Sequence, residues 1–181
     1  MSQMIPELPE HAGTVEDLLE LCFGPGRYAK TAYRLREGVE PEPGLSWLWE
    51  DDGEIQATIR YWPVLIAGKW PALMLGPLAV LPRLQGTGLG RALMRHTLDL
   101  AREMGHERVF LVGDEPYYAR VGFSRAAGKG LDMPGPVDHA RLLALALTEG
   151  AMDGVAGMIG KPDPSVPQTA GRRAKGVSDA A

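Results

Sequence analysis

The sequence predicts an α/β fold (α+β), a sheet with packed helices, from three observations. Residues 54–62 alternate apolar and polar side chains, which is typical of a strand with two different faces. An apolar strand that ends at Val80 runs through a glycine-rich turn into an amphipathic helix that begins near Leu89. Residues 109–112 are apolar without interruption, as expected of a central strand covered on both faces.

Composition and charge restrict the function. The chain has 181 residues, of which 45% are hydrophobic and 23% charged, as in a soluble globular protein with one domain. A net charge of -4 argues against binding to nucleic acid or to an anionic membrane, because both favour a basic surface. The opening residues lack a basic-then-apolar signal sequence, and the longest apolar stretch, 71–82, is too short to span a bilayer. We therefore expect a cytoplasmic protein with no nucleic-acid or membrane partner.

The N-terminal part predicts one strand and two helices. A first strand is expected around residues 4–5. Thr14 precedes apolar residues at helical spacing, and Gly24-Pro25-Gly26 ends that helix. Cys22, the single cysteine, lies on the apolar side of this helix and is expected to be a core residue. A second helix is expected from Tyr28 to Arg36.

The middle of the chain predicts a hairpin and a third strand. Residues 46–50 and 54–62 flank the turn Asp51-Asp52-Gly53. One face of the second strand is expected to carry Ile55, Ala57, Ile59 and Tyr61. A turn at Ala67-Gly68-Lys69 leads into a strand from Trp70 to Val80. Gly76-Pro77 in the middle of this strand predicts a bulge or a local splay, because proline has no N–H for the ladder.

The C-terminal half predicts a long helix followed by short elements. The helix begins at Leu89 and closes at Gly105, and its apolar side is expected to carry Leu89, Ala92, Leu93, Thr97, Leu100, Ala101 and Met104. Residues 109–112 form a strand, and residues 115–121 a short helix. Residues 142–147 fit a strand or a helix by period. We expect one domain over residues 1–160 and a mobile tail over 161–181, since the tail contains no aromatic residue, leucine or isoleucine.

The glycine-rich turn predicts a site for phosphate. The first N–H groups of a helix lack intrahelical partners, and glycines let a phosphate approach them. The chain contains no Gly-Lys-Ser/Thr, which excludes a P-loop, and its Gly-x-Gly-x-Gly differs from the Gly-x-Gly-x-x-Gly of dinucleotide-binding folds. What fits is Gln/Arg-x-x-Gly-x-Gly/Ala after a Leu-x-Val strand, as in Gln85, Gly88 and Gly90.

A second motif supports one family. Tyr117 to Phe123 read Tyr-Tyr-Ala-Arg-Val-Gly-Phe, which matches aromatic-Tyr-x-Lys/Arg-x-Gly-Phe at every defined position. With both motifs in this order, the sequence resembles the GNAT family of acetyl-CoA-dependent N-acetyltransferases. The Gly113-Asp114 start of this segment and the Pro134-Gly135-Pro136 loop resemble a bacterial branch of predicted N-acetyltransferases.

The resemblance implies a fold, a co-substrate and a reaction. The fold is a central mixed, mostly antiparallel, twisted sheet of about six to seven strands, splayed between the fourth and fifth strands, with helices on both faces; residues 142–147 then form a strand. The activity is transfer of an acetyl group from acetyl-CoA to a primary amine of a small molecule or peptide, directly and through a tetrahedral intermediate. Homodimers are common in the family, and the oligomeric state of this chain stays open.

The resemblance also implies site residues. The coenzyme A binding residues are Leu78, Ala79 and Val80 for the pantetheine arm and Gln85, Gly86, Thr87, Gly88, Leu89, Gly90 and Arg91 for the pyrophosphate. Tyr118 is the candidate proton donor to the departing thiolate, and Tyr117 is given a packing role. Because proline has no N–H, the amide of Leu78 is the first free donor after the expected bulge, and it is our candidate for polarising the thioester carbonyl.

The general base is not identified by the sequence. Some family members carry a strand carboxylate just before the bulge, where this chain has Leu75-Gly76-Pro77. Deprotonation of the amine would then use water or another group, and Asp114 and Glu115 are the nearest acids by topology. The four histidines fall in no catalytic or metal-ligand spacing, so metal dependence is not indicated.

The acceptor site is expected among the N-terminal helices, the first hairpin and the 129–138 loop. Residues 23–36 form a basic and aromatic stretch, from which we choose Arg27, Tyr28 and Arg34 as candidates for binding a carboxylate or phosphate of the acceptor. A solvated helix face is the alternative interpretation. A non-catalytic acyl-CoA binding or sensing domain and a plain interaction module are the alternatives to an enzyme.

Overall fold

The computed structural model describes residues 1–169, whose strands form one mixed sheet flanked by helices on both faces. The strands are β1 (Ser2–Pro6), β2 (Trp47–Asp51), β3 (Glu54–Ile66), β4 (Trp70–Val80), β5 (Arg108–Val112), β6 (Leu131–Asp132), β7 (Leu142–Ala146) and β8 (Gly157–Gly160). The α-helices are α1 (Ala12–Phe23), α2 (Thr31–Arg36), α3 (Leu89–Glu103), α4 (Glu115–Tyr118) and α5 (Arg125–Gly128). The tail residues 170–181, which include the basic residues Arg172, Arg173 and Lys175, lie outside the described residues.

The strand order confirms the expected mixed topology. Strands run β1-β2-β3-β4-β5-β7, and each neighbouring pair is antiparallel except β4 and β5, which are parallel. The short β8 pairs with the end of β3 and with β6. Within residues 1–169 the sheet has eight strands, one more than the upper expected number, because β6 and β8 are too short to show a period in the sequence.

Side-chain alternation divides the core between the two faces of the sheet. On one face, α3 packs its buried residues against side chains such as Leu73 and Leu75. On the other face, α2 and the 131–133 segment pack near Ala72 and Met74, and α1 packs near Ala79. The sheet is therefore buried on both sides.

A bulge at Gly76-Pro77 separates β4 from β5. Ile59 of β3 faces Leu78, whereas Tyr61 faces Leu75, so two residues of β4 lie opposite one residue of β3. Strand β5 pairs with β4 only at residues 73 and 74, before the bulge. The expected splay is thereby confirmed, and an open edge of β4 follows the bulge.

Four sequence expectations about element bounds need correction. Helix α1 begins at Ala12, so Thr14 lies inside it. The single helix expected over 28–36 is two segments, a 3-10 turn at Pro25–Ala29 and α2, because Lys30 is extended between them (φ -72°, ψ 142°). Strand β3 continues beyond residue 62 to Ile66. The short helix over 115–121 is α4 followed by a 3-10 turn at Ala119–Val121.

Two predicted faces are also partly wrong. Gln56 is an extra residue in the β2–β3 ladder, so Ile55 packs with α1 and not with Ala57, Ile59 and Tyr61 on the α3 side. On α3 the buried residues are Gly90, Leu93, Met94, Thr97, Leu98 and Ala101. Met104 is the C-cap residue of the helix and its side chain is exposed, and Leu100 is only partly buried. Leu93, Thr97 and Ala101 are buried as predicted, and Leu89 and Leu100 pack against the same core. The predicted apolar side was therefore incomplete, because it omitted the buried residues Gly90, Met94 and Leu98.

Candidate active site

Two connected pockets open at the splay between β4 and β5. The smaller, of about 290 Å³, lies against the glycine-rich turn and is called the cradle pocket. The larger, of about 600 Å³, lies under α2 and the 133–138 loop and is called the arginine pocket. Both are lined by Phe23, Leu78, Tyr117 and Tyr118, so these four side chains stand where the pockets meet.

The cradle pocket is built from the start of α3. Gly86 (φ +82°) and Gly88 (φ +99°) adopt left-handed backbone that favours glycine, and Gly88 is the N-cap of the helix. The first intrahelical bond runs from the Ala92 N–H to the Gly88 carbonyl (2.9 Å). The amides of residues 89–91 therefore have no partner inside the helix and carry the positive end of its dipole. This arrangement fits a pyrophosphate.

Nine of the ten residues predicted to bind coenzyme A line the cradle pocket. They are Leu78, Ala79, Val80, Gln85, Gly86, Gly88, Leu89, Gly90 and Arg91. Thr87 is outside the lining, and its hydroxyl donates to the Leu84 carbonyl (2.6 Å). Cys22, expected in the core, lies at the border of this pocket, where its thiol donates to the Val80 carbonyl (3.4 Å).

The amide of Leu78 points into the splay. Leu81 donates its N–H to Gln56 of β3 (2.9 Å), whereas the Val80 carbonyl accepts from Gln85 Nε2 (3.3 Å) on the other side. Because backbone groups alternate in direction along a strand, the amide of Leu78 has the same direction as the Val80 carbonyl. A donor is thus available beside the bulge, as its candidate role requires.

Tyr118 is held at the junction of the pockets by its neighbours. A β-carbon built on Gly113 would lie 2.2 Å from Cε2 of Tyr118, so the ring packs directly against that glycine. The ring also makes an edge contact with Phe123, with 6.2 Å between centroids. Burial raises the pKa of Tyr118 to about 12, so its hydroxyl is neutral at pH 7 and can donate a hydrogen bond.

Tyr117 does more than pack. A β-carbon on Gly90 would lie 2.5 Å from the Tyr117 hydroxyl oxygen, so this hydroxyl lies over the first turn of α3. Burial raises the pKa of Tyr117, which keeps the hydroxyl protonated. The sequence signal for this contact is Gly90, the third glycine of the glycine-rich turn, whose missing β-carbon makes room for the Tyr117 side chain.

The acceptor candidates have different surroundings. The guanidinium of Arg27, 3% exposed, bonds to the Gly24 carbonyl (2.9 Å), the Tyr28 hydroxyl (2.7 Å), Glu16 (3.3 Å) and Glu20. Its charge is therefore neutralised within the protein, although it lines the arginine pocket. Tyr28 is 56% exposed and outside the pocket lining, while Arg34 is exposed and lines it. The structure brings two of the three residues to the pocket and leaves only Arg34 free for an acceptor.

The two acids considered as bases have structural partners. Asp114 lines the arginine pocket and accepts from Arg141 Nε (3.2 Å). Glu115 accepts from the amide of Arg125 (2.8 Å), which fixes the start of α5. The described part of the chain brings together no group of three or more His, Cys, Asp or Glu suited to a metal ion. Within residues 1–169, no helix is both long and apolar enough to cross a membrane.

A residue that the sequence did not single out is Arg36, which lines the arginine pocket. Its guanidinium lies between the rings of Tyr33 and Trp62, with the central carbon 4.6 and 5.6 Å from their centroids. The loop that closes this pocket is attached to α2, because the Thr31 hydroxyl donates to the Pro136 carbonyl (2.8 Å).

A mixed sheet that opens between its fourth and fifth strands, with a glycine-rich helix start beside the opening, is the architecture expected of GNAT acetyltransferases. Residues 13–124 match the Acetyltransferase (GNAT) family. The chain belongs to this family and is an N-acetyltransferase.

Similar proteins support this assignment. The chain is 31% identical over 156 residues to the uncharacterized N-acetyltransferase YhbS of Escherichia coli K12, covering 84% of this chain and 92% of YhbS. The crystal structure of E. coli YhbS in complex with CoA has a TM-score of 0.76 at 29% identity, covering 89% of each chain. A GNAT family acetyltransferase from Brucella melitensis, in complex with acetyl-CoA, has a TM-score of 0.67 at 29% identity, covering 90% of this chain and 96% of that one.

Proposed function

We propose that this chain transfers an acetyl group from acetyl-CoA, held in the cradle pocket, directly to a primary amine that enters through the arginine pocket. The acceptor is a small molecule or the amine of a peptide. The observation that carries the proposal is the junction of the two pockets at Leu78 and Tyr118. A cytoplasmic location and a homodimer stay predictions.

The cradle pocket fits coenzyme A. Its unpartnered amides, glycine backbone and helix dipole suit a pyrophosphate, and the unpaired edge of β4 can bond to an amide-containing arm. The two similar proteins in complex with CoA and acetyl-CoA support this assignment. When bound there, acetyl-CoA supplies a thioester, whose carbonyl carbon is the electrophile.

Leu78 and Tyr118 provide the two donors that acyl transfer to an amine needs. The amide of Leu78 points into the splay and can stabilise negative charge on an acyl oxygen. The neutral Tyr118 hydroxyl can donate a hydrogen bond or proton to a departing sulfur, because burial keeps it protonated. Both groups are positioned by rigid elements, the bulge of β4 and the packing of the Tyr118 ring on Gly113.

The charge of the arginine pocket favours the neutral, nucleophilic form of the acceptor. Lys30, Arg34 and Arg36 line this pocket. Positive charges near an ammonium group lower its pKa. Since residues 75–77 carry no carboxylate, this effect and a water molecule would replace the strand base.

The test is thiol release from acetyl-CoA across a panel of primary amines. We expect turnover by the wild-type chain and a decrease in kcat of roughly 100-fold or more in Tyr118→Phe, the usual size for loss of a general acid. The affinity for acetyl-CoA should change little. Tyr61→Phe is the matched control, because the Tyr61 hydroxyl bonds to Thr97 (2.8 Å) in the core outside both pocket linings, and this variant should keep the wild-type kcat.

A non-catalytic acyl-CoA sensor is the second candidate, favoured by the missing strand carboxylate. It predicts acetyl-CoA binding with no thiol release on any amine. A Tyr118→Phe variant that retains wild-type kcat would remove the assigned role of Tyr118 while leaving the enzyme class intact.

A further inference from the structure

Arg36 carries a charge that the protein does not neutralise. Nε and Nη1 of its guanidinium are inaccessible to solvent and have no hydrogen-bond partner within the described residues. Burial lowers the pKa of Arg36 to about 10, so the group is still charged at pH 7. A largely buried cation without an anion is unfavourable, which indicates that a ligand supplies the negative charge.

The nearby carboxylates are occupied by other arginines. Arg27 is paired with Glu16 and Glu20. Arg60 is paired with Glu7 (2.5 Å) and reaches Glu16 (3.5 Å). Within residues 1–169, Arg36 forms no ion pair, and it contacts the rings of Tyr33 and Trp62 instead.

The guanidinium faces the place where acyl transfer is proposed. A β-carbon on Gly76 would lie 3.1 Å from Nη2 of Arg36, so this nitrogen touches the bulge two residues before Leu78. Arg36 lines the arginine pocket but not the cradle pocket. Its charge is therefore directed at the acceptor and not at the phosphates of coenzyme A.

The acids of the arginine pocket do not compensate this charge. Asp114 is paired with Arg141 (3.2 Å). Asp138 caps the start of the 3-10 turn His139–Arg141, where its carboxylate accepts from the amide of Ala140 (2.9 Å). Lys30 and Arg34 add further positive charge to the lining. The pocket is cationic on a chain of net charge -4.

We propose that the acceptor is a primary amine that also carries a carboxylate, and that Arg36 binds this carboxylate. The inference rests on the proposed function and names its substrate class. A single guanidinium held between two aromatic rings suits one planar carboxylate, with Lys30 and Arg34 attracting the anion at the exposed part of the pocket.

The experiment compares matched acceptors, the common amino acids and β-alanine, each with its carboxamide. The wild-type chain should prefer carboxylates after allowance for the different amine pKa values. Arg36→Gln should lower kcat/KM for carboxylate acceptors about 10- to 100-fold, the equivalent of one charged hydrogen bond. The same variant should change kcat/KM for carboxamides less than about 3-fold. Arg36→Lys should restore part of the preference, because it returns the charge without the planar fork.

Two controls separate recognition from folding. Arg83→Gln removes an exposed arginine that pairs with Glu54 outside both pocket linings, and it should leave the preference unchanged. The melting temperature and acetyl-CoA affinity of Arg36→Gln should remain close to those of wild type. An equal loss of kcat/KM in Arg36→Gln for each carboxylate acceptor and its carboxamide would overturn the proposal. So would the absence of a carboxylate preference in the wild-type chain. So would an Arg36-dependent preference for phosphate-bearing amines over carboxylates.

A binding measurement keeps the inference testable if no amine is acetylated. With CoA present, N-acetyl amino acids should raise the melting temperature of wild type but not of Arg36→Gln. The corresponding N-acetyl amino acid amides should raise neither. Stabilisation without turnover would contradict the proposed enzyme while supporting the carboxylate site, and absence of any Arg36-dependent stabilisation would contradict the site.

Discussion

At the scale of single residues, the two sequence motifs meet through a glycine. The Tyr117 hydroxyl oxygen lies 2.5 Å from where a β-carbon on Gly90 would be, which is closer than any side chain allows. Gly90 therefore admits an aromatic side chain of α4 to the first turn of α3. The spacing of the glycine motif thus reflects a side-chain contact as well as a bound phosphate.

We predict that Gly90→Ala weakens acetyl-CoA binding. The new methyl group must displace the Tyr117 hydroxyl, and overpacking of this kind usually costs about 1–3 kcal/mol, which corresponds to roughly 5- to 150-fold in Kd. Isothermal titration with acetyl-CoA measures the change. The double variant Gly90→Ala with Tyr117→Phe should recover part of the affinity, because the clashing oxygen is removed.

Gly13→Ala is the matched control for this prediction. A β-carbon on Gly13 meets nothing within 4 Å, and the residue lies inside α1, where alanine is favoured over glycine. Wild-type affinity in Gly90→Ala would show that the Tyr117 hydroxyl moves without consequence for the ligand.

At the scale of elements, the bulge of β4 creates the site. It ends the pairing with β5 after residue 74, turns the amide of Leu78 into the opening and brings Gly76 against Arg36. The Trp62 indole donates to the Gly76 carbonyl (2.7 Å), which fixes the bulge from β3. One irregularity in the ladder therefore positions both the proposed oxyanion donor and the proposed acceptor contact.

We predict that Gly76→Ala destabilises the fold and lowers activity. The backbone of Gly76 has φ +128°, a conformation that costs other residues about 1–3 kcal/mol, and the added β-carbon presses on Arg36 Nη2. Urea denaturation should show a lower midpoint with an unchanged slope. Gly160→Ala in β8 is the control, since its β-carbon would meet only the Leu65 carbonyl at 4.0 Å. Equal stability of the two variants would contradict the importance of the bulge geometry.

Features formed by residues adjacent in the chain could be predicted from the sequence, whereas the register of paired strands could not. The glycine turn and the strand before it are adjacent in the chain, and the family resemblance that they carry implied nine residues that line the cradle pocket. The face of Ile55 was wrong because the extra residue Gln56 reverses the alternation, and nothing in the local sequence marks it. Arg27 and Arg36 were indistinguishable in sequence, because only the packing of α1 decides which arginine receives a carboxylate.

At the scale of the whole molecule, the two pockets have different origins. The cradle pocket comes largely from residues 78–91, whereas the arginine pocket combines α2, the bulge of β4, the end of β5 and the 133–138 loop. A ligand in the arginine pocket therefore contacts α2 and the 133–138 loop together with the sheet strands β4 and β5, and should couple these elements. This separation is the physical reason why the co-substrate is easier to assign than the acceptor.

The folded part of the chain extends beyond residue 160. Lys161 still donates to the Glu37 carbonyl (2.6 Å), and Gln168 has buried side-chain atoms, whereas residues 170–181 contain no aromatic residue, leucine or isoleucine. A chain ending at residue 169 should keep its free energy of unfolding within about 0.5 kcal/mol and its affinity for acetyl-CoA, because little apolar surface is removed. Urea denaturation and isothermal titration measure the two quantities.

The matched truncation ends at residue 156 and removes β8. It deletes the ladder to Leu65 and Ile66 and the fully buried Ile159, whose loss alone is worth about 2–5 kcal/mol when the side chain is truncated. This shorter chain should unfold at markedly lower urea concentration. A clear loss of acetyl-CoA affinity in the chain ending at residue 169 would contradict this prediction and would show that the last twelve residues belong to the functional unit. Arg172, Arg173 and Lys175 would then be the first residues to substitute.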